Sequence, residues 1–253
     1  MSGVAYSVVQ REVTAADDTK TTTRILVDNK LNYMPDTAIS SADGVTAGAG
    51  FSHVAITLEE ALNRSITSLG WSSMVLDDDS DNILTITGTL KTSSLASGAG
   101  KDSINVQAMA ESTVSLGHGQ NSVTANTVSN TAITIGKDAD VLSLGAVDGS
   151  TVVMGDGNNV FEAASLTSST VTAGADDDAV TLGSMTDSSL SLGQGNNTLT
   201  VSDTTTSAKL SGGAYNDSVT LHDIAVSTVN MGAGTNELKV TGEVTGGNIV
   251  GGT

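Results

Sequence analysis

Between Ser93 and Val226 the apolar residues return with a fixed period of 19, as in Val114, Ile133, Val152, Val171 and Leu190, broken once by an extra residue before Ala208. Counted from the first Ser of each unit or its equivalent, they fall at places three, five, twelve, fourteen and often seventeen. In Ser112–Asn130 these are Val114, Leu116, Val123, Ala125 and Val128. A spacing of two within each pair is the alternation of a strand that buries one face. Each unit therefore predicts two short strands joined by two turns. No single unit can bury its apolar face alone, so consecutive units predict stacked coils. The expected fold class is all-β, a parallel β-solenoid with a narrow aliphatic core. At about 4.8 Å per coil, eight units span roughly 40 Å. Ser72–Thr92 reads as an imperfect earlier unit, with Met74, Leu76, Leu84 and Ile86 near the right places and Asp77 where a glycine would stand.

The pattern ahead of the repeats differs. Val4, Tyr6 and Val8 alternate, and Arg24-Ile25-Leu26-Val27 runs into the turn signal Asp28-Asn29, so residues 1–30 predict a strand-like arm. In Thr57–Gly70, Leu58, Leu62, Ile66 and Leu69 share one face at helical spacing, Thr57 with Glu60 resembles a capping box, and Gly70 supplies a stop. The spacing predicts a helix over 57–70 that closes the first coil. The expected organisation is a small α+β amino-terminal cap over 1–71 and the solenoid over 72–253.

The polar places are as regular as the apolar ones. Place six is always glycine, from Gly98 and Gly117 to Gly232, and place ten alternates strictly: Asp102, Asn121, Asp140, Asn159, Asp178, Asn197, Asp217, Asn236. The alternation implies a second period of two coils. Stacked carboxylates would repel one another, whereas an Asn amide can hydrogen-bond the Asp above and below it. Composition sharpens this picture: aromatics make up 2% and Pro35 is the single proline, so the interior has to be a thin aliphatic stack. The formal charge of −18 is concentrated in the repeats, where Ser72–Thr253 holds 20 acids and 5 bases against 8 and 5 in Met1–Trp71. Such a surface disfavours nucleic acid and anionic membranes and favours cations. With no cysteine there is no disulfide framework. No apolar run is long enough to cross a membrane as a helix, and no Sec-type leader precedes the first strand.

The turns read G-A-G-K-D, G-H-G-Q-N, G-K-D-A-D, G-D-G-N-N, G-A-D-D-D, G-Q-G-N-N, G-A-Y-N-D and G-A-G-T-N, each followed by a strand. Over about Ser93–Asn236 this resembles the RTX nonapeptide, the repeat of hemolysin-type calcium-binding β-rolls. The resemblance implies Ca²⁺ held by turn carbonyls together with the carboxylates of Asp102, Asp140, Asp178 and Asp217, with amide oxygens from Asn121, Asn159, Asn197 and Asn236 in the coils between. It also implies export by type I secretion. The sequence departs from that pattern: the leading double glycine occurs only at Gly212-Gly213, and Asp138, Asp176 and Tyr215 replace the second glycine. Asn and Asp also suit a left-handed turn without any metal.

Chemistry for catalysis is missing from the pattern. His53, His118 and His222 stand in unrelated contexts, and no nucleophile elbow, phosphate loop or His-Glu metal motif is present. The expectation is a non-enzymatic, structural protein, extracellular or on the cell surface. It would associate with itself head to tail as a fibre, sheath or surface-layer subunit, through a last fragment, Gly247–Thr253, that matches the opening of another unit. Two rival expectations are a monomeric calcium-dependent adhesin or ice-binding module and a phage or virion fibre component.

Overall fold

In a computed structural model of the chain, residues 6–14, 20–28, 33–34, 38–39, 41–77 and 79–252 are described. Val4, Asn29, Pro35 and Thr253, which entered the sequence reading, lie outside the described residues. Tyr6–Thr14 and Lys20–Asp28 form an antiparallel hairpin, to which Tyr33–Met34 adds a third strand. From Ala38 onward the strands pair in parallel, each with the equivalent strand of a neighbouring coil, which is the topology of a β-solenoid. Ala38 pairs with Ala55, Ala55 with Ser73 and Ser73 with Ser94, so the first coils differ in length. From Ser94 the partners are Thr113, Ala132, Thr151, Thr170 and Ser189, each one full period further along the chain. The next step, from Ser189 to Lys209, is one residue longer, so the extra residue is absorbed there.

One coil shows how sequence becomes shape. Thr113–Ser115 is a three-residue strand that points Val114 inward, and Leu116 leads into the turn at 117–121. Ser122–Ser129 is the long strand, with Val123 and Ala125 inward, a bend, and Val128 inward again. A corner at Asn130-Thr131 then starts the next coil. The five apolar places thus become five columns running up the interior, and their apolar members in the regular units are almost wholly buried. Phe161, at 0% exposure, takes its place between Leu142 below and Val180 above.

The helix expected over 57–70 is not formed, and the cap is not α+β. The segment consists of strands Ala55–Thr57, Asn63–Ile66 and Ser68–Gly70, and the one helical element among the described residues is a 3-10 turn at Ala42–Gly44. The apolar reading of that segment was right and the period was wrong. Leu58, Leu62, Ile66 and Leu69 are all buried, but they occupy the inward places of an early coil, whose spacing of four, four and three coincides with one face of a helix. Pairing decides between the two: Asn63–Ile66 has a parallel partner in Ile83–Ile86, and Leu69 pairs with Leu90. The intervening Asn63, Ser65, Thr67 and Ser68 are weak helix formers that do not resist. The stack accordingly starts well before residue 72.

Candidate functional site

The tenth-place residues all face inward at the corner formed by the glycine turns. Asp102, Asn121, Asp140, Asn159, Asp178, Asn197 and Asp217 are buried, and Asn236 is half-buried at the last turn. Each offers its Oδ1 to the backbone N–H of its counterpart one coil earlier. Asp102 N–H donates to Asn121 Oδ1 at 3.0 Å, Asn121 to Asp140 at 2.7 Å, Asp140 to Asn159 at 3.0 Å, Asn159 to Asp178 at 2.9 Å and Asp178 to Asn197 at 2.9 Å. Asn197 to Asp217 at 3.1 Å and Asp217 to Asn236 at 2.8 Å complete the upper part. At the lower end Asn82 belongs to the same column: it accepts Leu62 N–H at 2.9 Å and donates to Asp102 Oδ1. The sequence reading missed Asn82 because Asp77 displaced the glycine that marks the register.

The second atom of each side chain divides the column in two. In the Asn coils it is a nitrogen that closes its own turn: Asn121 Nδ2 donates to the carbonyls of Gly117 (3.1 Å) and Gly119 (2.9 Å), and Asn159 Nδ2 to Gly157 at 2.8 Å. In the Asp coils it is an oxygen, and Oδ2 of Asp102, Asp140, Asp178 and Asp217 is buried without a hydrogen-bond partner. Burial pushes the Asp140 carboxyl up to about 6 and the Asp178 carboxyl up to about 7; the hydrogen bonds from Asn121 and Asn159 pull downward, and Asp138, Asp176 and Asp177 add repulsion. Burial raises Asp217 as well, against the bonds from Asn197.

Glycine placement follows the same division. A Cβ on the sixth-place glycine of any of these coils from Gly117 to Gly232 would strike the carbonyl oxygen of the glycine one coil earlier, so the whole column is sterically fixed. Two residues further on, Gly119, Gly157, Gly195 and Gly234 of the Asn coils have φ between 96 and 114°, and a Cβ there would strike the coil below. In three of the four Asp coils the same place holds Asp138, Asp176 and Tyr215 at φ of 85, 77 and 76°, while the Asp102 coil keeps Gly100 there. Asp138 and Asp176 use their side chains to accept the N–H of Gly119 and Gly157. From Gly119 onward the replaced glycines are therefore one half of a two-coil repeat.

The opposite corner carries a second ladder that the sequence reading did not find. Ser72, Ser93, Ser112, Thr131, Ser150, Ser169, Ser188 and Ser227 are buried at place one. Ser93 Oγ donates to the Lys91 carbonyl at 2.8 Å and accepts Ser72 N–H at 3.1 Å, and the arrangement recurs coil by coil. The signal was available in the Ser or Thr at place one of seven of the eight clean units.

The side chains of the column do not by themselves make a calcium shell. Calcium takes six to eight oxygens at about 2.3–2.6 Å. Each Asp has one free oxygen, the next carboxylate of the column is two coils away at roughly 10 Å, and the Asn between them turns nitrogen, not oxygen, into its turn. Among the described residues no group of three or more His, Cys, Asp or Glu is gathered in a way that could hold a metal. Comparison with known proteins returned no match to a protein family, a curated protein or a solved structure.

Proposed function

We propose that the chain is a structural, self-associating solenoid, a subunit of a fibre, sheath or surface layer working outside the cell or on its surface. The observation that carries this reading is the exposed edge of the last described coil. Val244–Val250 pairs with Ile224–Asn230 on one side, and Ile249 and Val250 are 42% and 44% exposed, whereas Val229 directly beneath Ile249 is buried. A parallel strand laid on that edge would take up its free N–H and C=O groups and cover Leu238, Ile249 and Met231, which line a shallow depression. The occupant we assign is the first coil of a second copy, because the step that stacks one coil on the next also stacks one rod on the next. Unlike ends that meet in this way propagate into a filament. A continuation of the polypeptide beyond Thr253 would meet the same edge, so the test is made on the chain ending at Thr253. Kinship with the RTX repeats rests on the turn sequences and belongs to this proposal, as does type I secretion.

Sedimentation velocity across a concentration series is the experiment. The expected result is growth of large species with concentration, abolished by Ile249→Lys with Val250→Lys while the circular dichroism of the solenoid stays the same. A wild-type chain that remains monomeric throughout overturns the reading. It would favour a monomeric binding module, for which the paired outward hydroxyls Thr113/Ser115, Thr170/Thr172 and Ser189/Ser191 on the short strands are the supporting feature.

A further inference from the structure

The buried Asp side chains pose a question that neither the fold nor the self-association reading answers. Asp140 and Asn159 hold equivalent positions one coil apart and make the same Oδ1 bond, each accepting the backbone N–H of the coil before. That shared bond fixes the plane of both groups, so Asp Oδ2 stands where Asn Nδ2 stands. In the Asn coils this atom donates to the carbonyl two residues earlier. In the Asp coils that carbonyl belongs to Asp138 or Asp176, residues that share the left-handed backbone of Gly119 and Gly157. An ionised Oδ2 would meet a carbonyl oxygen there, acceptor against acceptor and out of reach of water, and a buried charge without a partner is strongly unfavourable.

We propose that Asp140 and Asp178 sit in the folded solenoid as neutral carboxylic acids, each donating its Oδ2–H to the carbonyl of Asp138 or Asp176, so that protons rather than calcium complete the turn ladder. Oδ2 of Asp217 is likewise buried and unpartnered. Each protonated Asp is then a near-isostere of the Asn above and below it, and the two-coil alternation becomes a device that responds to pH.

The direction of the response follows from linkage. Carboxyls raised to about 6 and about 7 in the folded chain, against 3.8 unfolded, bind protons more tightly when folded. Their stabilisation is complete below about pH 4 and is lost as pH rises through 6 and 7. The ionisable groups on the surrounding turns are Lys137 and Asp138 beside Asp140, Asp176 and Asp177 beside Asp178, His118 one coil below Asp140, and Asp156 between the two. The acids among them reinforce the direction. His118 is exposed and is removed as a contributor by His118→Gln.

The test is the melting temperature of the full chain from pH 4.5 to 8, at a concentration that keeps it monomeric, in chelator and again in millimolar calcium, beside infrared spectra of the native protein. The expected results are a Tm that falls between pH 5.5 and 7.5 equally with calcium and with chelator, and a carboxylic-acid carbonyl band in the folded state at pH 5.5 that vanishes on unfolding. Asp140→Asn with Asp178→Asn should raise Tm at pH 8 and flatten the fall, whereas the exposed control pair Asp148→Asn with Asp203→Asn should leave the fall in place. A double variant that keeps the wild-type fall, or a wild-type Tm at pH 8 that calcium raises and the double variant does not share, overturns the proposal. If the double variant does not fold, the infrared band alone decides: its absence at pH 5.5 overturns the proposal.

Discussion

Phe161→Ala is the sharpest test of the register. The ring is fully buried in a column where its neighbours above and below are Val180 and Leu142. The next inward residue on its own strand, Ala163, is small. Truncating a buried Phe costs about 3–5 kcal/mol, and the value depends on how far the surroundings collapse into the gap. Collapse is restricted here. Coil spacing is set by the backbone ladder on each face and by the two side-chain ladders at the corners, so Leu142 and Val180 cannot approach each other, and Ala163 is too short to fill the space. The cost should therefore lie toward the upper half of the range. At about 2–4 °C per kcal/mol for a chain of this size, Tm should fall by about 8–20 °C. Urea unfolding followed by far-ultraviolet circular dichroism, with Phe161→Leu as the control at below about 1.5 kcal/mol, reads the effect directly. A loss for Phe161→Ala under about 0.5 kcal/mol, the range of surface changes, would mean that the ring does not point inward and that the columns are misregistered.

Two further substitutions probe the two-coil alternation. Gly157→Ala places a Cβ against the Asp138 carbonyl at φ 103° and should prevent stable stacking of that turn, whereas Asp176→Gly at the equivalent place of the next coil should lose only the bond to Gly157 N–H, about 1 kcal/mol; soluble yield and urea midpoints compare them, and equal effects would sink the alternation. Asn159→Ala strips the Asp140 N–H and the Gly157 carbonyl of their partners together and should cost about 2–4 kcal/mol in the same assay, with a loss below about 1 kcal/mol showing that water reaches the ladder.

Much of this was legible because a repeat repeats its evidence. Places three, five, twelve, fourteen and seventeen were read from spacing alone, and all are inward. Where one segment had to be judged by itself the reading failed: Thr57–Gly70 shows four buried apolar residues, and local periodicity cannot tell a helix face from three sides of a coil when the strand partners lie a whole coil away in the chain. At place ten the residue types and their alternation were plain, and so was the idea that Asn and Asp bond up the stack. The route of the bonds was not. They run from backbone N–H to Oδ1 along the column, while Asn Nδ2 turns back into its own loop in most coils, a detail set by backbone φ values that the letters do not carry. The hydroxyl ladder went unread for a related reason, since Ser at a corner looks like any exposed turn residue until its burial is known.

The irregular coil near Ala208 brings several separate defects together and should be where the rod opens first. Ala208 interrupts the hydroxyl ladder, so Ser188, buried at place one, has no hydroxyl above it to accept its N–H. Thr205 fills the inward place that Met185 and Ile224 hold in the neighbouring coils, and its Oγ1 is buried without a partner. Gly212 leaves place five empty where the other coils from Ser112 onward have Leu, Ile, Met or Ala. Val226 sits at φ 52° with 69% exposure, a left-handed conformation that is costly for a β-branched side chain. The neighbouring coils show none of these features together, and a stack in which each coil touches only its neighbours opens where its nearest-neighbour terms are weakest. Hydrogen exchange should therefore be fastest, within the solenoid interior, over residues 198–226, and limited proteolysis should cut there before it cuts between 112 and 190. Each defect has its own repair. Ala208→Ser restores an acceptor for Ser188 N–H and a donor to the Thr206 carbonyl, Thr205→Val replaces an unpaired hydroxyl by a methyl of the same shape, and Val226→Asn relieves the backbone, each by about 1 kcal/mol. Because the three sites lie at one corner of two consecutive coils, the combined variant should slow exchange across 198–226 more than any single change while leaving the coils below residue 190 unaffected. Protection that is already uniform from Ser94 to Val226 in the wild-type chain would show that the ladders do not hold the coils together, since removing a rung would then have had no local consequence.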